Sequence, residues 1–281
     1  MNLAQTIERT PLVFLDLETT GLDAEKGECV CEIGALRIRE SSVSETFHTL
    51  VNPGKKMPEE AFRIHNISDE DLRSAPFFPD VAGKLKAFLD GVILCAYNAR
   101  FDVGFLDAEF RKIGLPLLSL PILDVYRMAR QTLLLDRYTL AAVATHFHIE
   151  PSGAHRAVED ASVTFQVFEK MREALALQGV WSLKDFLTLF GLPNSVFFAL
   201  QEKKVACMAE CIEKDQPAKV RWFSRKAGVK TEVMIPSRIT KEECAFIFLF
   251  RAAGGKESRI SCAYVLDIEK VHSAEDRENT L

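Results

Sequence analysis

Residues 11–22 read "PLVFLDLETTGL", and the reading of the whole fold starts there. The apolar run "PLVFL" feeds straight into Asp16 and Glu18. Residues 12–17 read as a strand, closed by a Thr-Thr-Gly turn in which Gly21 permits a tight bend. Successive side chains of a strand alternate faces, so the two acids point the same way. Like charges on one face of a buried strand repel and are costly to desolvate. Some compensating charge is therefore expected close by.

The surrounding sequence is that of an ordinary globular chain. It has 281 residues, 48% of them hydrophobic and 27% charged. That length suits one large domain or two smaller ones. The formal net charge of −5 argues against a protein that coats nucleic acid non-specifically. The charge is uneven: residues 219–259 hold ten Lys and Arg against four Glu, a local excess of about +6. Seven cysteines with no CxxC spacing read as small buried thiols in a reducing compartment. The N-terminus has no signal-peptide pattern, and "ECAFIFLF" is too short to span a bilayer. A cytoplasmic protein with no membrane association is expected. The polar tail "HSAEDRENTL" is expected to fray.

Beyond the opening strand, "CVCEIGALRIRE" and "SETFHTLVNP" continue an antiparallel meander. Helical and strand patterns then alternate: "PDVAGKLKAFLDG", "VILCAYN", "ARFDVGFLDAEFRKIGL", "PILDVYRMARQTL", "TLAAVATHFHI" and the long "HRAVEDASVTFQVFEKMREALALQ". Three strands followed by alternating helices and strands predict an α/β sheet with helices on its faces. The pattern ends near residue 178. A helical linker is expected over 179–198, and a small, mostly β domain over 199–281, carried by "KVRWFSR", "KTEVMIP", "CAFIFLF" and "ISCAYVLDI". Within the linker, "FLTLF" at 186–190 reads as an amphipathic helix with Ser182 and Asp185 as a capping box. Its faint likeness to a sliding-clamp-binding peptide is the weaker reading.

Asp102 lies one helical turn after Asn98, and Asp160 lies on the long helix, so both can converge with Asp16 and Glu18 on one side of the sheet. Clustered carboxylates are tolerable when hard cations neutralise them. Mg²⁺ binds one or two carboxylates, with water and phosphate oxygens completing its shell. Two such ions about 3.5–4 Å apart clamp the oxygens of a phosphoryl displacement. His155 offers an imidazole, a side chain that can take a proton from water. It is five residues from Asp160, about 140° around a helix, so it is placed in the loop or first turn, leaning over the acids. His146 and His148 read as surface or packing residues, and His48 and His272 as uninformative.

"FLDLETTGL", "YNARFDVGFL" and "HRAVEDA" together resemble the three motifs of the DEDD 3′–5′ exonucleases. They are similar to the branch with His in the third motif (DEDDh), which includes the proofreading epsilon subunits of bacterial DNA polymerase III. The resemblance covers residues 10–175 and implies a ribonuclease H-like exonuclease domain over 1–178. It further implies that Asp16, Glu18, Asp102 and Asp160 bind two divalent cations, Mg²⁺ or Mn²⁺, and that His155 is the general base. Leu17, Thr19 and Thr20 would line the 3′-terminal nucleotide, and Leu22 would wedge against its base. "RIHNIS" resembles a family segment that has Gly where Asn66 stands, and implies that His65 contacts substrate. Asn98 matches a family position before the second motif; by itself it reads equally as a helix cap.

The implied reaction is hydrolysis of the 3′-terminal phosphodiester, releasing nucleoside 5′-monophosphates. Nucleic-acid 3′ ends are the expected partner, DNA before RNA, with a polymerase or clamp as a further one. An exoribonuclease, or a regulator acting through the β domain, are the competing readings. The β domain resembles a WYL domain, a small SH3-like barrel. Its basic excess and the pair Trp222 and Phe223 suggest a platform for phosphate contacts and base stacking.

Overall fold

The computed structural model describes residues 2–115, 120–150, 155–242, 245–251 and 257–271. The tail expected to fray, and Pro151 and Gly153 before His155, lie outside the described residues. The chain forms two compact units. One is Gln5–Glu173; the other gathers the described residues from Ala174 onward with the first few residues up to Ala4. Residues 179–198, expected as a linker, are thus part of the second unit.

In the first unit, β1 (Leu12–Thr19), β2 (Val30–Arg39) and β3 (Ser42–Leu50) form the meander, and β4 (Ile93–Ala96) and β5 (Ile122–Asp124) extend the sheet on the other side of β1. The order is β3-β2-β1-β4-β5, with β1–β4 and β4–β5 parallel and the rest antiparallel. Helices α1 (Glu59–His65), α2 (Asp69–Leu72), α3 (Phe78–Phe88), α4 (Ala99–Lys112), α5 (Val125–Thr132), α6 (Leu140–His146) and α7 (Ala157–Leu177) follow or intervene. β1 is the centre of the sheet and almost wholly buried. Phe14 has no exposed surface, and its ring lies 5.2 Å from those of Phe165 and Phe168 on α7. Burying such a ring is worth roughly 2–3 kcal/mol and seats α7 across β1. Phe14, Asp16 and Glu18 share a face by strand alternation, so the helix that covers Phe14 also overlies the acids.

Gly34 fixes how close that helix comes. It pairs with Asp16 across β1 and β2, and a Cβ there would lie 2.3 Å from the backbone of Ala157 and Val158. The start of α7 therefore rests on the bare backbone of β2.

In the second unit, α8 (Leu183–Phe190) and α9 (Ser195–Glu213) precede β6 (Ala218–Ser224), β7 (Gly228–Glu242), β8 (Ala245–Arg251), β9 (Glu257–Ser261) and β10 (Val265–Lys270). The sheet is entirely antiparallel, in the order β10-β6-β7-β8-β9. Four strands were expected and five are present among the described residues. A 3-10 turn at Cys262–Tyr264 breaks "ISCAYVLDI", and β7 runs on past Pro236 through a register shift. Such a shift accommodates a residue with no N–H to donate. Met208, Cys211, Val220, Phe248, Phe250 and Val265 form the core between α9 and the sheet.

Three readings of this unit change. α8 is buried almost all round rather than amphipathic, with Phe186, Leu187, Leu189 and Phe190 inside, so "FLTLF" is not displayed as a clamp-binding peptide. Ser182 caps α8 by accepting from the Asp185 N–H, but the Asp185 carboxylate does not close a capping box and instead receives Arg221 at 2.7 and 2.9 Å. Trp222 is half-buried against the core and Phe223 is only 3% exposed, so the two do not form an exposed stacking pair. They do point to opposite sides of β6.

Candidate functional site

The acids converge at the carboxyl end of β1, where parallel and antiparallel neighbours meet, the place where open α/β sheets form crevices. Glu18, His155 and Asp160 offer ligand atoms all within 4.8 Å of one another, the one such group among the described residues. Asp102 comes from the first turn of α4 and is buried; its carboxylate accepts the backbone N–H of Leu17, which fixes it against β1. His155 stands exposed just before α7 with φ 65°, in the loop position expected for it, and Asp160 is inside the helix.

The electrostatics are those of an uncompensated cluster. Burial pushes the Asp16 carboxyl far above its usual range, and the charges of Asp102, Asp160 and Glu18 add to the shift. Burial pushes Glu18 up to about 8, with Asp160 and Glu32 contributing. Burial also raises Asp102 and Asp160, with His155 opposing the shift at Asp160. Four carboxyls that resist ionisation side by side form a set of hard oxygen donors. They fit divalent cations with oxygen preference, which would relieve the repulsion.

Next to the cluster is a cavity of about 490 Å³, lined among others by Leu17, Thr19, Thr20, Leu22 and His65. Leu22 is 84% exposed, free to meet a ligand. The Thr side chains are not: Thr19 Oγ1 donates to the Gly21 carbonyl at 2.6 Å, and Thr20 Oγ1 donates to Glu28 and accepts the Cys29 N–H. Gly21 does not take the left-handed conformation; a Cβ there would lie 2.7 Å from the Glu28 side chain, which would have to shift. His65 is buried in the cavity wall. Its Nδ1 accepts the Ile67 N–H at 3.1 Å and its Nε2 lies 3.8 Å from Cys31 Sγ, and burial holds its pKa down. Asn66 takes the left-handed conformation (φ 55°) that caps α1, a role Asn fills in place of Gly. Ile64 and Phe101, neither of which the sequence places at the site, complete an apolar rim.

Asn98 stands exposed outside that lining. It occupies the N-cap position of α4 with φ 64°, yet its side chain makes no capping bond. The cap comes from Asp124, whose carboxylate accepts the N–H groups of Asn98 and Ala99 as well as those of Tyr126 and Arg127.

Glu32 was also missed. It is fully buried, pairs across the sheet with Glu18, and receives Arg156, the Ala157 N–H and His48. Burial alone would raise its pKa, but these donors hold it below the ordinary carboxylate range. His48 is therefore informative after all. His146 packs edge-on to Phe147, as expected of a packing residue.

The basic excess of the second unit is partly neutralised. Lys219, Arg221, Arg238, Arg251 and Arg259 each face a carboxylate, three of them contributed from outside that stretch: Glu269, Asp185 and Asp215. A larger hollow of about 750 Å³ in this unit, beside Trp181 and α9, gathers no cluster of acids.

With three acidic elements and a His gathered at one end of β1, the comparison with known proteins is direct. Residues 13–168 match the family described as Exonuclease. The chain belongs to this family. It is 35% identical over 166 residues to the DNA polymerase III subunit epsilon of Rickettsia conorii, covering 57% of this chain and 72% of that one. It is 34% identical over 174 residues to the PolC-type DNA polymerase III of Caldanaerobacter subterraneus subsp. tengcongensis. There the match covers 62% of this chain but spans only 12% of the relative. Among solved structures, Escherichia coli exonuclease I in complex with a dT13 oligonucleotide shares the fold, with a TM-score of 0.57 at 17% identity. That likeness covers 85% of this chain and 55% of the other, more than Gln5–Glu173 amounts to. Among the described residues no helix is long and apolar enough to cross a membrane, and the six described cysteines are free.

Proposed function

We propose that the chain removes nucleotides from 3′ ends of single-stranded or frayed DNA by hydrolysing the terminal phosphodiester, releasing nucleoside 5′-monophosphates. The observation that carries this reading is the meeting of Glu18, His155 and Asp160 within 4.8 Å beside a cavity that ends in an exposed Leu22. Asp16, Glu18, Asp102 and Asp160 would hold two divalent cations, Mg²⁺ or Mn²⁺, which when bound supply Lewis acidity toward the phosphodiester.

The remaining work falls to side chains. His155, whose side chain is exposed beside the acids, takes a proton from the attacking water at an imidazole nitrogen. Asp160, on the same side, stabilises the imidazolium so formed. Leu22 inserts against the terminal base, while Ile64 and Phe101 give that base an apolar seat and exclude water from its faces. The buried Thr19 and Thr20 hydroxyls shape the turn that presents Leu22, so these two residues serve the nucleotide through the backbone. His65 acts from within the wall, holding α1 and its rim residue Ile64 in place.

The epsilon and PolC-type relatives suggest work alongside a replicative polymerase in the cytoplasm; the buried "FLTLF" helix is not the docking element for it. We read the second unit as a WYL-like barrel, on the strength of its strand order and the leading helix α9.

The test is trimming of 3′-labelled DNA and RNA of one sequence, with Mg²⁺ or Mn²⁺ and with EDTA. Metal-dependent shortening of DNA from its 3′ end by single nucleotides is the expected result. No shortening under any condition would overturn the reading, and preference for RNA would replace the substrate.

A further inference from the structure

The first and third acidic segments are far apart in sequence, yet Glu18, His155 and Asp160 must be held to within about half an ångström for ligation or proton transfer. No bond from His155 or Asp160 to β1 supplies that precision. The connection runs through β2. Glu18 and Glu32 are directly opposite in the β1–β2 register, and so share a face. Glu32 is fully buried and uses both carboxylate oxygens. Oε1 accepts from Arg156 Nη2 at 2.7 Å and from His48 Nε2 at 2.7 Å, and Oε2 accepts from the Ala157 N–H at 3.0 Å. Arg156 Nε bridges the two oxygens at 3.2 Å each. Because a carboxylate can only accept, the proton of His48 resides on Nε2.

We propose that Glu32 is a positioning residue: from beside Glu18 it grips the two residues that follow His155, and so sets both the left-handed turn at His155 and the start of the helix that carries Asp160.

The inference rests on the reading of the site given above, but makes its own demand. Glu32 is close enough to the acids to be mistaken for a fifth ligand. Its lone pairs are already committed to Arg156, Ala157 and His48, so it serves the other acids without sharing their ligand. The Ala157 N–H is one of the orphan donors at the start of α7, and a carboxylate is the strongest partner such a donor finds. Gly34, two residues on, removes the side chain that would keep that N–H out of reach. A neutral residue at position 32 leaves the Arg156 guanidinium without its partner beside His155, and frees the turn; a shorter carboxylate keeps the charge but reaches less well.

The test measures Mn²⁺ binding to the metal-free full-length chain by calorimetry, together with kcat and KM on a DNA oligonucleotide. The variants are Glu32→Gln, Glu32→Asp and Arg156→Met, each scored per folded molecule after circular dichroism. Glu32→Gln keeps an oxygen for Ala157 but loses the charge for Arg156. Loss of a residue that orients ligands typically costs about 10–100-fold in metal affinity or activity. The expected result is a fall of that size in Mn²⁺ affinity and kcat for Glu32→Gln and Arg156→Met, with KM for DNA unchanged and partial rescue in Glu32→Asp. Folded variants that bind Mn²⁺ as the wild type does would overturn the proposal, since a purely structural role lowers only the folded fraction. If the wild type trims no nucleic acid but Glu32→Gln still weakens Mn²⁺ binding, the exonuclease reading falls and the positioning role stands. If the wild type trims and Glu32→Gln matches it in both measurements, the reverse holds.

Discussion

At the end of β1, four carboxyls crowd one corner and, among the described residues, none forms an ion pair with Lys or Arg, whereas in the second unit Lys219, Arg221, Arg238, Arg251 and Arg259 each meet an acid. The first arrangement costs folding energy, because each carboxyl is pushed toward its protonated form by burial and by its neighbours. The second is neutral bookkeeping that closes on itself. Charge left unpaired inside a fold marks where a ligand is awaited; charge that is paired marks where the architecture is complete.

The largest expected effect breaks the unpaired side of this contrast. Asp16→Asn and His155→Ala should each lower turnover by about 10²–10⁴-fold, the range for loss of a general acid or base, while circular dichroism shows the fold intact. Full activity in either would remove the site. Gly34→Ala comes next. Its Cβ would meet the Ala157 and Val158 backbone at 2.3 Å, so α7 must lift from β2, carrying His155 and Asp160 away from Glu18. A loss of activity near that of Asp16→Asn is expected, now with a fall in stability of about 2 kcal/mol or more on chemical denaturation.

Acidity sharpens the contrast further. Glu18 titrates at about 8 in the fold against an ordinary 4.5. Its protonated form therefore favours the folded state: the benefit is full below about 4.5 and disappears as pH rises through 8. With EDTA, Tm should decline between pH 5 and 9, and Asp16→Asn should flatten the decline. Adding Mg²⁺ should raise Tm more at pH 8 than at pH 5, because cations compete with protons for the same oxygens. A flat profile in EDTA would show that the corner is already compensated.

The smallest effect on activity is expected from the paired side. Arg221→Ala strands the buried Asp185 carboxylate and should destabilise the second unit by about 3 kcal/mol, the low end for a broken buried pair because Arg221 is partly exposed. Turnover of a short oligonucleotide by the folded protein should not change. A matching loss of turnover would show that the second unit serves the reaction directly.

How far the sequence could be read follows from the range of the interactions. Asp16, Glu18, Asp102, His155 and Asp160 sit in local patterns, a strand running into acids or a helix opening with one, and such patterns survive without tertiary context. Glu32 was invisible because its partners lie 124 and 125 positions away. In isolation, "CEIG" is an acid within a hydrophobic strand and nothing more. The basic excess of 219–259 misled for a similar reason: Asp185 and Asp215, which neutralise part of it, lie outside the stretch that was counted. Trp222 and Phe223 did alternate as a strand requires, but alternation tells which side a residue faces and not whether that side is covered. α8 was mistaken for amphipathic because its eight residues include Lys184 and Asp185, and Asp185 is buried with its charge taken up by Arg221.

The double cap at Asp124 has a kinetic consequence. One carboxylate closes the start of α4, which carries Asp102, and the start of α5. Neither helix can fray at that end without stripping the other of its acceptor. The amide protons of Asn98, Ala99, Tyr126 and Arg127 should then exchange with solvent at one common rate, as a single opening unit, although they belong to segments nearly thirty residues apart. Asp102 would sit on a hinge whose latch is on another strand.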